Sequence, residues 1–447
     1  MNDEGRSKHR VRLLRQRLDR WVAERPQIAT LVKNAGWLAL DKVVRVLLAL
    51  TMGAWIARKL GPAGFGELNY AVTLVALFHS FVNLGADGIV VRDVSRNPES
   101  ASDILGTLFR LRLGFGVICW LLATFAVWLI RTDDTHALLL VAIIGASLVL
   151  QAADTLDLWF QSQSCNHRTV IAKLLSYVIA NLFRIYLLLS DAPTWAFACA
   201  FVLDAALLSI ALSLAYRTMP TRLAWRADAS LAVSIIKQTW PFMLSGSAVL
   251  LYMRIDQILI REFLGEADLG IYSAALPLSQ VWIIIPVTLS TALAPFISRR
   301  KMEGEVAYMR ALSQVFRVFA WAGLGVSLLS AFFAGPAVML LYGASYAKAD
   351  QIIAIHAFTN IPIFLGVAQG LWLVNEGLGK LTLYRTAIGA VICVFANLLL
   401  IPKFGLTGAA ATAVLSMLTG AVLTNLIWAP HIFRLQVMAF LPRRRSN

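Results

Sequence analysis

The chain has 447 residues, of which 59% are hydrophobic and only 15% are charged, and its mean hydropathy is +0.70. Soluble domains carry roughly 25% charged residues, so this composition excludes an ordinary soluble protein and indicates an integral membrane protein. A net charge of +15 would suggest a nucleic-acid partner in a soluble chain, but here its distribution along the chain matters more than its total.

Apolar runs of about 20 residues, the length needed to cross a hydrocarbon layer of roughly 30 Å, recur from residue 31 onward. They predict an all-α integral membrane protein, because a helix satisfies its own backbone hydrogen bonds in lipid. We predict twelve membrane helices, at approximately 30–58, 66–91, 105–130, 136–162, 170–190, 194–216, 236–262, 268–298, 310–341, 350–375, 382–401 and 406–432.

Positive charge is distributed unevenly between the two sides of this arrangement. With the N-terminus in the cytoplasm, the even-numbered connections and both tails carry most of the 40 Lys and Arg residues. The odd-numbered, outer connections carry only Arg58, Lys59, Arg131, Arg261, Lys348 and Lys403. The positive-inside rule therefore places both termini in the cytoplasm.

The spans divide the chain into five parts. These are a basic tail (1–29), a six-helix lobe (30–216), a basic linker (217–235), a second six-helix lobe (236–432) and a second basic tail (433–447). Within the first tail, apolar and basic side chains alternate at helical spacing, which is typical either of an amphipathic helix on the anionic inner leaflet or of a solvated orienting segment; the apolar ones are Val11, Leu14, Leu18 and Trp21.

The two predicted lobes contain an internal repeat. A shift of 204 residues lays LGPAGFGELNYA (60–71) over LGEADLGIYSAA (264–275), and each copy follows the first helix of its lobe. A second similarity pairs Ala-Asn-Leu at 180–182 with Ala-Asn-Leu at 396–398. Two repeated lobes indicate a transporter whose substrate site lies between the repeats.

Four segments carry a resemblance to a known family: the outer turn 60–71, NLGADGIVVRDVSR (83–96), DTLDLWFQSQSCNHRTVIA (154–172) and NLLLIPKFGLTGAAATAVLS (397–416). In order and spacing they resemble Wzx-type O-antigen and exopolysaccharide flippases of the multidrug/oligosaccharidyl-lipid/polysaccharide exporter superfamily. The resemblance implies a V-shaped, two-lobed transporter with an inner cavity. It also implies that undecaprenyl-diphosphate-linked oligosaccharides move from the cytoplasmic to the periplasmic face of the inner membrane.

The candidate substrate site consists of charges inside predicted spans. A cation at mid-bilayer costs at least about 2.5–3.5 kcal/mol, so Lys42 and Arg45 should face protein or water. Asp41 lies four residues before Arg45 and could simply neutralise it, which would leave Lys42 and Arg254 to carry the phosphate contact. Arg254 lies near the repeat equivalent of Arg45, with Asp256 about 200° round the helix from it. We predict that these cations hold a diphosphate.

Further polar residues have weaker assignments. His79, Asn83 and Asp87 recur every four residues, and His79 and Asp87 are candidates for coupling to protons or sodium. Arg184 with Asp204 is a predicted structural ion pair, and Asp154 and Asp157 are predicted to pair with Arg168 or Lys173. Pro277, Pro286 and Pro295 predict kinks in the eighth helix. Gln280, Trp282 and Trp372 could contact sugar, although packing explains such residues equally well.

The alternatives are a different kind of transporter and a membrane enzyme. No phosphate-binding loop, metal-ligand cluster or catalytic triad occurs, so we expect no cofactor, no metal and no enzymatic activity. A multidrug or organic-ion antiporter of the same superfamily should carry acidic residues in its cavity. A polysaccharide polymerase should carry a long outer loop, and here the outer connections are short. Membrane lipids, a coupling ion and a separate glycan polymerase are the remaining expected partners.

Overall fold

The structure is a computed structural model that describes residues 26–131, 134–163, 165–219 and 224–441, without the side chains of 26–45 and 166. The predicted amphipathic segment of the first tail and the end of the second tail lie outside the described residues. The chain divides into two compact units, Met1–Thr51 and Met52–Asn447. In the first unit the chain is helical from Pro26 onward.

The described chain is helical throughout. Its helices are α1 Pro26–Asn83, α2 Asp87–Arg96, α3 Ala101–Ile130, α4 Thr135–Leu150, α5 Thr155–Ser162, α6 Asn166–Leu189, α7 Thr194–Arg217, α8 Ala229–Leu264, α9 Glu266–Gln280, α10 Ile284–Met302, α11 Glu305–Leu341, α12 Ala349–His356, α13 Asn360–Asn375, α14 Gly379–Leu418, α15 Asn425–Trp428 and α16 Pro430–Met438. Short 3-10 turns join several of them, and a π-helical turn, Thr419–Leu423, follows α14.

Ten helical stretches in the described chain are long and apolar enough to cross a membrane, which confirms an all-α, multi-pass membrane protein. Two of them, Val46–Arg96 and Gly379–Trp428, have 51 and 50 residues. At about 1.5 Å per residue each is far longer than one crossing requires. Each is interrupted by a glycine outside helical geometry, Gly61 (φ 67°) and Gly405 (φ 61°). The count of twelve spans and the V-shaped, two-lobed arrangement stay predictions.

The interruption in α1 has a local cause. Gly61 adopts a positive φ, which glycine tolerates because it lacks a Cβ atom. Pro62 follows and begins the next helical segment, where its missing N–H has no intrahelical partner to lose. A glycine followed by a proline therefore ends one helix and begins the next within two residues.

The predicted helix 66–91 is shorter than the hydropathy pattern indicates. α1 ends at Asn83, and Leu84 and Gly85 take positive φ values of 60° and 61° before α2 begins at Asp87. A Cβ atom at Gly85 would meet the backbone of residues 242 and 243, so the turn also allows close packing against α8. The prediction of one continuous helix was wrong here, because a turn inside an apolar run leaves no trace in hydropathy.

The eighth predicted helix is also interrupted. α9 ends at Gln280, a 3-10 turn occupies Val281–Ile283, and α10 begins at Ile284. Pro277 and Pro286 flank this turn and each removes one helical hydrogen bond, as the predicted kinks require, whereas α10 continues through Pro295.

We call the described residues of the second unit up to Arg217 its first half and those from Ala229 onward its second half. One large apolar core joins the two halves. It contains buried residues of α1, α3 and α4 from the first half and of α8, α9 and α12 from the second. There are two smaller cores, one built mainly from α2, α3 and α5 with Ile235 of α8, and the other mainly from α10, α11 and α13.

The repeated glycines meet each other where the halves join. A Cβ atom at Gly66 would overlap the carbonyl oxygen of Glu266, and one at Gly270 would overlap the carbonyl oxygen of Pro62. Both pairs are related by the shift of 204 residues, so the contact is symmetric. Gly265 also repeats the positive φ of Gly61. The geometry supports the repeat that the sequence predicts.

We expect Gly270→Ala to destabilise the protein. The added methyl group would force the helix backbones apart, and overpacking of this kind costs about 1–3 kcal/mol. The thermal unfolding midpoint of purified protein in detergent measures the effect. Gly114→Ala is the matched control, because that helical glycine has open space around it. Equal midpoints for Gly270→Ala and the parent protein would contradict the prediction.

Candidate functional site

The predicted outer ends of the two halves are linked through Arg261, at the end of α8. Its side chain is almost fully buried, and its Nη2 atom donates to Asp134 Oδ2 at 2.5 Å and to Glu266 Oε1 at 2.8 Å. The guanidinium also lies 4.0 Å from the ring centroid of Tyr70. Because Asp134 and Tyr70 belong to the first half and Arg261 to the second, this arginine ties the halves together.

Further contacts lie at the same end. Arg131 of the first half pairs with Glu262 of the second at 2.9 Å. Arg58 Nη2 donates to the carbonyl oxygen of Leu340 at 2.6 Å, and the Tyr346 hydroxyl donates to a carbonyl of the first half at 2.8 Å. We call the charged group Arg131, Asp134, Arg261, Glu262 and Glu266 the outer clasp.

The charge of Asp134 in the outer clasp is insensitive to mild changes of pH. Burial opposes ionisation of Asp134, but the Ala137 N–H and the Arg261 guanidinium outweigh it and lower the pKa of that carboxyl below its ordinary value. A carboxylate with a lowered pKa stabilises the closed arrangement above its ordinary pKa and loses that effect only as pH falls through the lowered value. Asp134 therefore stays ionised at neutral and mildly acidic pH.

Arg254, the predicted phosphate-binding residue of α8, is partly buried within a membrane-spanning helix. Its guanidinium makes no hydrogen bond or ion pair with any residue that the structure describes. Asp256 accepts hydrogen bonds from the Tyr272 hydroxyl at 2.6 Å and the Gln257 N–H at 2.8 Å. Within the described chain Asp256 therefore forms no salt bridge with Arg254, as the helical spacing predicts.

The other members of the predicted cation site are Asp41, Lys42 and Arg45. All three lie in the first unit, on the backbone of α1, and their side chains are outside the described residues. Their approach to Arg254, and the alternative in which Asp41 neutralises Arg45, stay predictions.

Asp256 lines a small cavity of about 50 Å³ inside the second half, whose walls are partly polar and mostly apolar. Its polar lining includes Tyr252, Gln280, His356 and Asn397. His356 Nδ1 shares a hydrogen bond of 2.9 Å with a serine hydroxyl. Asp256 is only 8% exposed, yet it has no ion pair among the described residues. An unpaired carboxylate in such a place either binds a proton or a cation or costs several kcal/mol.

The predicted coupling residues of the first half have different surroundings. Asp87 forms an ion pair of 2.5 Å with Arg112, which also donates to Asn83 Oδ1 at 2.6 Å. Arg112 is 1% exposed, so these acceptors compensate a deeply buried cation. His79 is exposed on α1, and the turn at residues 84–85 separates it from Asp87. Asp87 is thus already neutralised, whereas Asp256 is not.

Two predicted structural ion pairs are confirmed, whereas Asp154 forms no ion pair with Arg168 or Lys173 in the described chain. Arg184 and Asp204 lie 3.5 Å apart, and Lys173 pairs with Asp157 at 2.8 Å.

The aromatic side chains assigned to sugar contact are mostly enclosed. Trp372 is 4% exposed and packs on His431, and the indole nitrogen of Trp282 is buried without a hydrogen-bond acceptor. Gln280 lines the cavity beside Asp256.

Sequence reasoning missed three buried ionisable residues. Arg112 lies about three turns into α3 and Arg385 about two turns into α14, and neither was assigned a role from the sequence. His356 is a single histidine in an apolar run and is 4% exposed. A lone ionisable residue within an apolar span is itself a signal of function or of a specific partner, and applying it to carboxylates and histidines as well as cations would have identified Asp256 and His356.

No group of three or more His, Cys, Asp and Glu side chains is arranged to hold a metal ion among the described residues. The four cysteines are free thiols. What the described site offers is one unpaired cation, Arg254, and one unpaired carboxylate, Asp256, on the same membrane helix.

Solved structures of membrane transporters share this fold. The structure of the lipid II flippase MurJ in an inward closed conformation superposes with a TM-score of 0.70, covering 92% of this chain and 90% of that chain at 12% identity. An inward-facing multidrug resistance MATE family transporter of the MOP superfamily gives a TM-score of 0.68, covering 89% and 99% at 14% identity. The protein therefore has the fold of MOP-superfamily membrane transporters.

Sequence comparison identifies the family. Residues 31–301 match the family described as polysaccharide biosynthesis protein, and the chain belongs to that family. The capsular polysaccharide biosynthesis protein CapF of Staphylococcus aureus is 20% identical over 400 residues, covering 88% of this chain and 98% of the relative. The probable flippase AglR of Haloferax volcanii is 29% identical over 181 residues, covering 38% and 37%.

We expect Arg261→Met to loosen the outer clasp, because it leaves Asp134 and Glu266 without their shared cation. A cysteine in place of Thr73, which is buried one turn deeper than Tyr70 and bonded to Gln257, reports the change. Its labelling by a membrane-impermeant maleimide should be at least several-fold faster in the Arg261→Met background. The parent protein with its four native cysteines supplies the background rate, and equal labelling in both backgrounds would refute the assignment.

Proposed function

We propose that this protein is a flippase that moves an undecaprenyl-diphosphate-linked oligosaccharide from the cytoplasmic to the periplasmic face of the inner membrane by alternating access. Family membership, the flippase among its relatives and the flippase fold of a structural neighbour support the proposal. Both termini lie in the cytoplasm under this proposal, and no chemical step is catalysed.

The observation that carries the proposal is the unpaired state of Arg254. A cation inside a membrane span costs at least about 2.5–3.5 kcal/mol unless it is compensated, and no described residue pairs with it. A diphosphate supplies two adjacent anionic groups and accepts the bidentate hydrogen bonds that a guanidinium offers. Arg254 therefore binds the transported anion in this proposal.

Lys42 and Arg45 complete this site in our proposal. Both lie on α1, which is the first helix of its predicted lobe as α8 is of the other. A diphosphate carries enough negative charge to compensate more than one cation. Asp41 then tunes the site by neutralising part of the charge of Arg45 when the substrate is absent.

We expect Arg254→Ala and Arg45→Ala each to reduce glycan export by roughly tenfold or more in a flippase-deficient strain. A hydrogen bond to a charged group contributes about 1.5–3 kcal/mol, and 1.4 kcal/mol corresponds to a factor of ten in binding. Arg254→Lys should retain part of the export, since it keeps the charge and loses the bidentate geometry.

Arg310→Ala is the matched control, because Arg310 is an exposed arginine at the start of α11. Expression levels are compared by immunoblot of membrane fractions. Full export by both alanine variants at normal expression would disprove the phosphate-binding role.

We further propose that Asp256 couples transport to a proton or sodium gradient. The carboxylate is buried, unpaired and bonded only to a hydroxyl and a backbone N–H, so its charge is best compensated by a mobile cation. Asp256 lies two residues from Arg254 on α8, which places ion and substrate on opposite sides of one helix. His79 and Asp87 stay alternative coupling residues, although Asp87 is compensated by Arg112.

We expect Asp256→Asn to uncouple transport from the ion gradient. The amide keeps the size of the side chain but removes its negative charge, so cation uptake has no counter-charge. In proteoliposomes, flipping of a fluorescent polyprenyl-diphosphate sugar should lose its dependence on an imposed pH or sodium gradient. Glu305→Gln, which neutralises an exposed acid of α11, should behave as the parent does. An unchanged gradient dependence in Asp256→Asn would exclude this role.

The second candidate function is a multidrug or organic-ion antiporter, because MATE transporters share the fold. A cationic drug needs acidic groups in its cavity, and the unpaired charge at α8 is instead an arginine. A polysaccharide polymerase fits less well, since the described outer connections are short. A separate polymerase that uses the flipped lipid is the expected partner.

A further inference from the structure

A second, mostly apolar cleft of about 400 Å³ lies within the second half, between α8, α13, α14 and the π-helical turn. This volume falls within the range of roughly 300–1,000 Å³ typical of ligand pockets. Its lining includes four glycines, Gly366, Gly370, Gly389 and Gly420, and a single charged residue, Arg385. The cleft therefore combines an apolar channel with one cation and no acid.

Arg385 is held rigidly at this cleft. The π-helical turn Thr419–Leu423 frees carbonyl groups from the helical pattern, and such turns occur frequently at functional sites. Arg385 Nε donates to Gly420 O at 2.9 Å and Nη2 donates to Ala421 O at 3.2 Å. Two hydrogen bonds thus fix the plane of the guanidinium group.

The remaining nitrogen of this guanidinium has no partner. Nη1 makes no hydrogen bond or ion pair within the described chain, while the residue as a whole is only 7% exposed. Nη1 is not among the polar atoms that are both fully enclosed and unbonded, so it keeps some accessible surface, and Arg385 lines the cleft. Its pair of N–H donors is therefore available to an anionic acceptor bound there.

The charged residue of the cleft lies toward its mouth. Val374, which is 81% exposed, and Thr382 mark the mouth at the predicted cytoplasmic end of α13 and α14. From there the lining extends to Pro362, about 18 Å along α13 at 1.5 Å per residue. Arg385 lies near the mouth, and the glycines and aliphatic residues lie both beside it and deeper.

We propose that this cleft is a loading subsite for the lipid part of the substrate. The phosphate next to the lipid binds Arg385 Nη1 at the level of the cytoplasmic leaflet, and the first isoprenoid units of the polyprenyl chain lie along Gly366, Gly370 and Gly389. The inference rests on the proposed function, and it adds a lipid-recognition site distinct from Arg254.

The shape and charge of the cleft favour a polyprenyl phosphate over other ligands. A sugar would leave its hydroxyl groups unpaired against the apolar lining, and a cationic drug would meet Arg385 without a counter-charge. The cleft shares Tyr252, Ile363 and Met417 with the cavity beside Asp256, so its inner end reaches the proposed coupling residue.

Binding of undecaprenyl diphosphate to purified protein, measured by native mass spectrometry, tests the proposal. In Gly370→Leu the new side chain fills the cleft, and a Cβ atom at Gly370 meets nothing within 4 Å, so the fold should tolerate it. We expect at least tenfold weaker binding of undecaprenyl diphosphate and unchanged binding of inorganic diphosphate. Gly325→Leu, at an exposed helical glycine that also has open space, is the control.

Arg385→Gln should weaken binding of undecaprenyl diphosphate as well, and Arg385→Lys should restore part of it. Wild-type affinity in Gly370→Leu would overturn the proposal. Displacement of undecaprenyl diphosphate by an equal amount of dioleoylphosphatidylglycerol would also overturn it, because the cleft would then be a general phospholipid site.

Flipping assays separate this inference from the proposed function. If the parent protein flips no polyprenyl-diphosphate sugar in proteoliposomes, the proposed function fails while the binding result still decides the subsite. If the parent flips and Gly370→Leu flips at the same rate with unchanged binding, the subsite alone is refuted.

Discussion

The structure depends on one constraint, the cost of placing charge in a medium with little water. Four arginines of the described chain meet that cost differently. Arg112 is compensated by a carboxylate, Arg261 by two carboxylates and an aromatic ring, and Arg385 by carbonyls of a distorted helix. Arg254 alone among these four has no such compensation within the described chain. Arg254 and the unbonded Nη1 group of Arg385 are therefore the positions available to a ligand.

The same constraint divides the molecule by function. Ion pairs hold helices together at the outer clasp, within the first half and, through Lys301 and Glu376, within the second half. Arg254, Asp256 and the Nη1 group of Arg385, which have no ion pair among the described residues, all lie in the second half. The division is consistent with a transporter in which ionic links close one end while binding groups stay open toward the other.

Much of this fold could be predicted from the sequence, because hydropathy reports burial in lipid directly. The repeat was also visible, since LGPAGFGELNYA and LGEADLGIYSAA preserve the glycines that the contact requires. The turn at Leu84–Gly85 and the π-helical turn were not predictable, because both depend on backbone geometry inside apolar runs. Contacts between residues far apart in the chain were also not predictable. No spacing rule links Asp87 to Arg112, which lies 25 residues away.

The contact between Gly66 and Gly270 has a consequence for the origin of the chain. Each glycine faces the backbone of the residue four positions before its own equivalent, so the contact lies on the axis that relates the halves. A half-length ancestor pairing with its own copy would have formed the same contact from a single position. Any side chain introduced there would have appeared on both sides of the contact at once. A substitution of this glycine would therefore have separated the two copies twice over.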